Sequence, residues 1–231
     1  MKYGHWLANA CTAMNLVCGM ISLEFASRGR FVGATLAVLA GMVFDALDGK
    51  IARLFSAKGS DFGKELDSLC DVVTFGAAPA FLLFQVLAPR FRWVAAGVAL
   101  AFAVCGAMRL ARFNTNVAIP GKGFTGMPIT GAGGMLAVVA LRPKLLTPYG
   151  LLAFAGLLAF LMVSTIRYPD FKKVHLPKDS GRRLILLGSL LGLAGLWSRF
   201  GSVELAIVPL LLYTASGPFY TYYSKKAEGQ A

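Results

Sequence analysis

Residues 43–55 read VFDALDGKIARLF, and they set Asp45 and Asp48 directly behind the fourteen uncharged residues FVGATLAVLAGMVF (31–44). Acid is expensive in such a setting. An aspartate at the centre of a membrane-spanning helix costs roughly 2.5–3.5 kcal/mol on insertion scales. What surrounds this stretch, and what repays its charge, therefore decides both the fold and the chemistry.

The surroundings are apolar throughout. Of 231 residues, 57% are hydrophobic and only 15% are charged, against about 25% in soluble domains, and the mean hydropathy is +0.65. Between charged residues lie eight long apolar runs: 3–23, 31–44, 72–89, 93–108, 123–141, 145–166, 184–198 and 205–224. A spanning helix takes about 20 mainly apolar residues, and the shorter runs reach that length when a flanking Arg or Lys snorkels to the interface. The expectation is an all-α polytopic membrane protein of about eight transmembrane helices. The first run carries Asn9, Thr12 and Asn15, and no small-residue cleavage site follows a basic start. It therefore reads as a retained helix rather than a signal peptide.

The net charge of +12 is informative through its placement. With eight helices and both termini on one side, that side collects 16 of the 23 Lys and Arg residues and the other side 7. The positive-inside rule then puts the richer face, both termini and the 45–71 segment in the cytoplasm, at a cell membrane. Charges in short loops between spans suit anionic headgroups and phosphorylated substrates, and no nucleic-acid partner is expected. Cys11, Cys18, Cys70 and Cys105 have no paired spacing and read as small buried hydrophobes, with neither a disulfide framework nor a zinc site.

Six of the eleven acidic residues fall between 45 and 71. Asp45 and Asp48 are i and i+3, and Asp67 and Asp71 are i and i+4, so each pair shares a helix face. Lys58-Gly59-Ser60-Asp61 between them is a reasonable turn. Two helices so joined present two carboxylate pairs to each other, a hard-oxygen site suited to Mg²⁺, Mn²⁺ or Ca²⁺. Two divalent ions would balance the four charges in the arrangement used for phosphoryl displacement. Ion pairing with Lys50, Arg53 and Lys64 is the plainer alternative. A cation path through the membrane is another, but all four carboxylates sit near one interface beside basic residues. Gly49, Ala52 and Gly63 lie on or near the same faces, where small side chains serve close helix packing and substrate approach equally.

The spacing Asp45-x2-Asp48-Gly49-x2-Ala52-Arg53-x9-Gly63-x3-Asp67-x3-Asp71 resembles the signature of the CDP-alcohol phosphotransferases at eight positions. ELDSLCDVVTFGAAPA (65–80), CGAMRLARFN (105–114), FTGMPITGAGG (124–134) and LMVSTIRYPDFKK (161–173) are similar to stretches of its phosphatidylserine synthase branch. NACTAMNLVCG (9–19) resembles the family's first helix, with Ala8 where a proline is common. The similarity covers roughly residues 8–173.

The resemblance implies a six-helix catalytic core over residues 1–180. Two additional helices and a short cytoplasmic tail follow over 181–231. It implies transfer of the phosphatidyl group from CDP-diacylglycerol to the hydroxyl of L-serine, with two Mg²⁺ or Mn²⁺ ions per site, in a homodimer embedded in membrane lipid. Asp45, Asp48, Asp67 and Asp71 would ligate the metals, and Asp71 would also be the general base. Gly49, Ala52, Arg53 and Gly63, with Asn9 and Thr12 of the first helix, would line the CDP-lipid pocket. Arg109 and Arg112 read alone as interfacial anchors; with the resemblance they become donors to the serine carboxylate or a substrate phosphate. An ether-lipid donor or another alcohol acceptor is the same chemistry on a different substrate. Lys122 and KGFTGMP (122–128) are a candidate cover over the site.

Overall fold

The computed structural model describes residues 3–54, 61–115, 124–141 and 146–168. The first two apolar runs form an antiparallel hairpin. Helix α1 (Tyr3–Ser27) ends where Gly29 takes φ +71°, a left-handed conformation that costs glycine little. Gly29 N donates to Ala26 O at 3.0 Å and Arg30 N to Phe25 O at 2.8 Å, closing the carbonyls left open at the helix end. Helix α2 (Phe31–Leu54) then returns along α1, and among the described residues this is the most extensive helix pairing. At 25 and 24 residues, each is roughly 36 Å long, enough to cross about 30 Å of hydrocarbon.

Helix α3 (Asp61–Asp71) passes through a π-helical segment (Val72–Ala77) into α4 (Ala78–Thr115). The chain turns back within α4. Pro89 removes a backbone donor, and Phe91 leaves helical geometry altogether (φ −138°, ψ 47°). A straight helix over these 55 residues would be roughly 80 Å long. Instead Lys64 Nζ reaches Asn114 O at 3.1 Å, so the limbs before and after Phe91 lie antiparallel. The runs 72–89 and 93–108 are thus separate limbs, as their hydropathy indicates. Among the described residues, Trp6–Ser27, Phe31–Ile51 and the folded Asp61–Thr115 are long and apolar enough to cross a membrane.

The next two runs differ from expectation. Within 123–141, helix α5 covers only Ile129–Ala140, and within 145–166, α6 covers Pro148–Val163. The first is shortened because Gly126 adopts φ +82° and the chain stays extended up to Pro128. Met127 N in this stretch donates to Leu161 O at 3.1 Å. The second is delimited by Thr147, whose hydroxyl accepts from Gly150 N at 3.1 Å, with Pro148 in the first turn. At 12 residues α5 is roughly 18 Å long, too short to span alone. It is buried at every residue from Gly131 to Ala140, which makes it the packed centre of the bundle. The runs 184–198 and 205–224, and with them the expected C-terminal helices of 181–231, lie outside the described residues. The chain divides into two units, Met1–Ala118 with Gly126–Ser164, and Ile119–Thr125 with Thr165–Ala231. In the second, strands β1 (Phe124–Thr125) and β2 (Arg167–Tyr168) pair antiparallel.

Within the first unit, one end of the bundle gathers the exposed arginines Arg28, Arg30, Arg90 and Arg92. There Gln85 Nε2 meets Ala26 O at 3.5 Å, and the Phe91 and Tyr149 rings meet at a tilt, their centroids 4.8 Å apart. The opposite end holds the carboxylates. Between lipid-exposed helices, packing supplies the attraction that water expulsion supplies elsewhere, so small residues matter. Gly133 is packed so closely on the π segment that a Cβ there would collide with the Phe75 carbonyl oxygen.

Gly133→Ala should therefore destabilise the protein by about 1–3 kcal/mol, the range for overpacking a filled core. Gly156→Ala has open space around its Cβ position and should leave stability unchanged or slightly raised. Thermal unfolding of both variants in detergent checks this; equal midpoints would contradict the packing at Gly133.

Candidate active site

Helix α2 carries Asp45 and Asp48 into its last turns, and α3 carries Asp67 and Asp71. One carboxylate oxygen from each of Asp45, Asp67 and Asp71 lies within 4.8 Å of the others. Asp71 is buried, while Asp45 and Asp67 are half-buried. Two unit charges at that distance repel by about 3–4 kcal/mol at an effective dielectric constant of ~20. Three such pairs, if ionised, approach the whole stability of a folded domain, about 5–15 kcal/mol. A trio of this kind is a place for a cation, and its all-oxygen donors suit a hard one.

Asp48 is also buried, but its partner is different. Thr12 Oγ1 of α1 stands 2.9 Å from Asp48 Oδ2 and 3.1 Å from the carbonyl of Ala8. Of the four expected metal ligands, three form the close group and Asp48 stands beside it, held by Thr12. Thr12 itself, expected in the nucleotide pocket, is buried against α2.

Neutral donors from other helices hold the trio as well. Asn15 Nδ2 of α1 donates to Asp71 Oδ1 at 3.1 Å, and Thr130 Oγ1 of α5 lies 3.5 Å from Asp45 Oδ2. Such outer contacts fix the direction of a ligating carboxylate. Neither residue was assigned from sequence. Both fall in stretches similar to the family, NACTAMNLVCG (9–19) and FTGMPITGAGG (124–134), but nothing in the spacing links either to a carboxylate. The π segment begins directly after Asp71, and π-helical turns recur at functional sites.

The remaining candidates divide. Gly49 is exposed, and nothing lies within 4 Å of where its Cβ would be. The space at its Cβ position is therefore open on the helix face beside Asp48. Gly63 is half-buried on α3. Ala52 and Arg53 belong to the end of α2, and their side chains lie outside the described set, as do residues 55–60 and Lys122. Asn9 is half-buried and borders an apolar groove with Trp6, Ala10 and Phe62. Arg109 is buried, its guanidinium 5.6 Å from the Phe113 ring centroid. Arg112 directs Nη1 to Val163 O at 2.8 Å, closing a carbonyl at the C-terminal end of α6. At least one of its five donors is therefore architectural. The four cysteines are free; Cys18 and Cys70 are buried.

A family model described as CDP-alcohol phosphatidyltransferase matches residues 5–166. The chain is 40% identical over 174 residues to a CDP-diacylglycerol–serine O-phosphatidyltransferase of Helicobacter pylori, covering 72% of this chain and 73% of that protein. It is 37% identical over 165 residues to the protein of the same name from Bacillus subtilis, with 70% and 89% covered. An archaetidylserine synthase of Methanothermobacter thermautotrophicus is 35% identical over 168 residues, with 71% and 69% covered.

Manganese titration followed by electron paramagnetic resonance tests the carboxylate group directly. Asp45→Asn, Asp67→Asn and Asp71→Asn should each weaken Mn²⁺ binding at least tenfold, while the exposed Asp61→Asn should bind as the parent does. Four equal affinities would remove the trio from consideration as a metal site.

Proposed function

The chain belongs to the CDP-alcohol phosphatidyltransferase family, and we propose that it transfers the phosphatidyl group of CDP-diacylglycerol to the hydroxyl of L-serine, giving phosphatidylserine and CMP. The observation that carries the reading is the carboxylate trio at one end of an apolar bundle, where a lipid-linked pyrophosphate and a water-soluble alcohol can meet. The names of the relatives from Helicobacter and Bacillus support serine as the acceptor.

Asp45, Asp48, Asp67 and Asp71 would hold two divalent ions, Mg²⁺ or Mn²⁺, and their carboxylate oxygens fit these cations. When bound, the ions neutralise pyrophosphate charge and stabilise the charge that develops on departing CMP. The chain's own groups do the rest. A serine hydroxyl is a weak nucleophile at neutral pH, and Asp71 takes its proton as the bond from serine oxygen to phosphorus forms. The bond from that phosphorus to the CMP oxygen breaks, and CMP leaves as the anion. Gly49 leaves room for the substrate against the backbone of α2, and Ala52, Arg53, Gly63, Asn9 and Thr12 complete the CDP-lipid pocket. Arg109, with the donors of Arg112 not directed to Val163, receives the serine carboxylate or a phosphate. The enzyme works in the cell membrane as a homodimer, with termini and active site facing the cytoplasm, the side the arginine and lysine count favours.

A second reading keeps the chemistry and changes the donor to an ether lipid, on the strength of the similarity to an archaetidylserine synthase. Apolar helices offer acyl and ether chains the same surface.

Purified protein with CDP-diacylglycerol and Mg²⁺ or Mn²⁺ should release CMP only when L-serine is present, and chelation should abolish release. Asp71→Asn should lower kcat by about 10²–10⁴-fold, the usual contribution of a positioned base. Serine-dependent release from the ether-lipid donor alone would favour the second reading; release indifferent to serine would overturn the acceptor.

A further inference from the structure

We propose that Asn15 and Thr74, both outside the acidic signature, form a relay that positions the carboxylate of Asp71. The inference deepens the reading above, because Asp71 is the proposed base and a proposed ligand there. Its geometry stands without that reading. Thr74 Oγ1 donates to the backbone carbonyl oxygen of Asn15 at 2.9 Å, which pins that residue of α1, and the side-chain Nδ2 of Asn15 donates to Asp71 Oδ1 at 3.1 Å. Thr74 follows Asp71 by three residues, inside the π segment, so chain and hydrogen bonds close a small ring through α1. Both Asn15 and Thr74 are fully buried.

The neighbouring residues are shaped to this ring. A Cβ on Gly19 would lie 2.5 Å from Thr74 Oγ1. One on Gly41 would lie 2.6 Å from Thr74 Cγ2 and 2.9 Å from Asn15 Oδ1. The glycines of α1 and α2 therefore admit the threonine and the amide together. An ionised carboxylate only accepts hydrogen bonds, which requires the amide nitrogen to face Asp71.

Stability gives little reason for Asn15. Its Oδ1 is buried with no hydrogen-bond partner among the described residues, and such a group costs free energy that a leucine would not. What the amide supplies is direction. With one oxygen of Asp71 held, the carboxylate cannot swing on its two side-chain torsions, and the other oxygen keeps a fixed line. Misplacement of a reacting group by about 1 Å can cost 10²-fold in rate. Asn15 and Thr74 are positioning residues in this sense.

The test uses the full-length enzyme in detergent and reads Mn²⁺ affinity together with kcat and KM. Asn15→Leu and Thr74→Val should lower kcat or Mn²⁺ affinity by about 10- to 100-fold, the span for outer-shell partners of metal ligands. KM for either substrate should change less than about twofold, since Asn15 touches Asp71, Thr74 touches Asn15, and neither is placed on the substrate. Thr74→Ser keeps the hydroxyl and should recover most of the loss. In an Asp71→Asn background, Asn15→Leu should cause no further loss of Mn²⁺ affinity, because its partner is already gone. Parent-like kcat and Mn²⁺ affinity in both Asn15→Leu and Thr74→Val would overturn the relay. So would an equal Mn²⁺ loss with and without Asp71. If Asn15→Leu does not fold, the Thr74→Val and Thr74→Ser pair decides. If the parent releases no CMP, the reaction is wrong, and the Mn²⁺ measurements still judge the relay.

Discussion

Mutual repulsion among Asp45, Asp67 and Asp71 is the constraint on which the rest of the structure depends. Three carboxylate oxygens within 4.8 Å of one another, at the end of an apolar bundle, are tolerable only with opposite charge or proton between them. A site strained in this way is useful where a reaction brings divalent cations and phosphates to the membrane surface. Around this crowded group, Asp48, Asp71 and Asp45 are each met by a neutral donor from another helix. Thr12 holds Asp48, Asn15 holds Asp71, and Thr130 approaches Asp45. Donors of this kind orient the oxygens without cancelling the charge that a metal ion needs.

Bringing those helices together requires backbone proximity, and small residues provide it. Gly19 and Gly41 open space around Thr74, and Gly133 lies on the carbonyl of Phe75. Their common target is the π segment that directly follows Asp71. The irregular turn, the glycines and the acidic residues are therefore one construction. A wider helical turn is tolerable in an apolar bundle because α1, α2 and α5 close around it and keep its polar groups from lipid. The bundle's opposite end has no comparable demand, and there the chain is held by ordinary devices: a glycine-terminated helix at Gly29 and a break at Phe91 after Pro89.

The acidic spacing from Asp45 to Asp71 was readable because helical periodicity is local: residues three or four apart share a face whatever the helix packs against. The same is true of the long apolar runs, whose first four reappear as α1, α2 and the two limbs folded at Phe91. The runs 123–141 and 145–166 were read less well, since hydropathy measures apolar content and is blind to Gly126 taking positive φ or Pro128 delaying a helix. Roles that depend on partners distant in sequence were not legible. Asn15 and Asp71 are 56 residues apart, and Thr130 and Asp45 are 85 apart. That Arg112 also closes the carbonyl of Val163 was equally hidden, since the two are 51 residues apart.

By itself, then, the sequence determined the class of the molecule and the identity of its acidic cluster, because charge, hydropathy and helical spacing act over a few residues. Tertiary structure alone decided which three of the four carboxylates converge, that Asp48 is held by Thr12, and that Asn15 faces Asp71 with Thr74 on its backbone carbonyl. Those outcomes depend on how closely helices can approach. That distance is set by where glycines meet a neighbouring side chain, a relation between residues that no window of sequence contains.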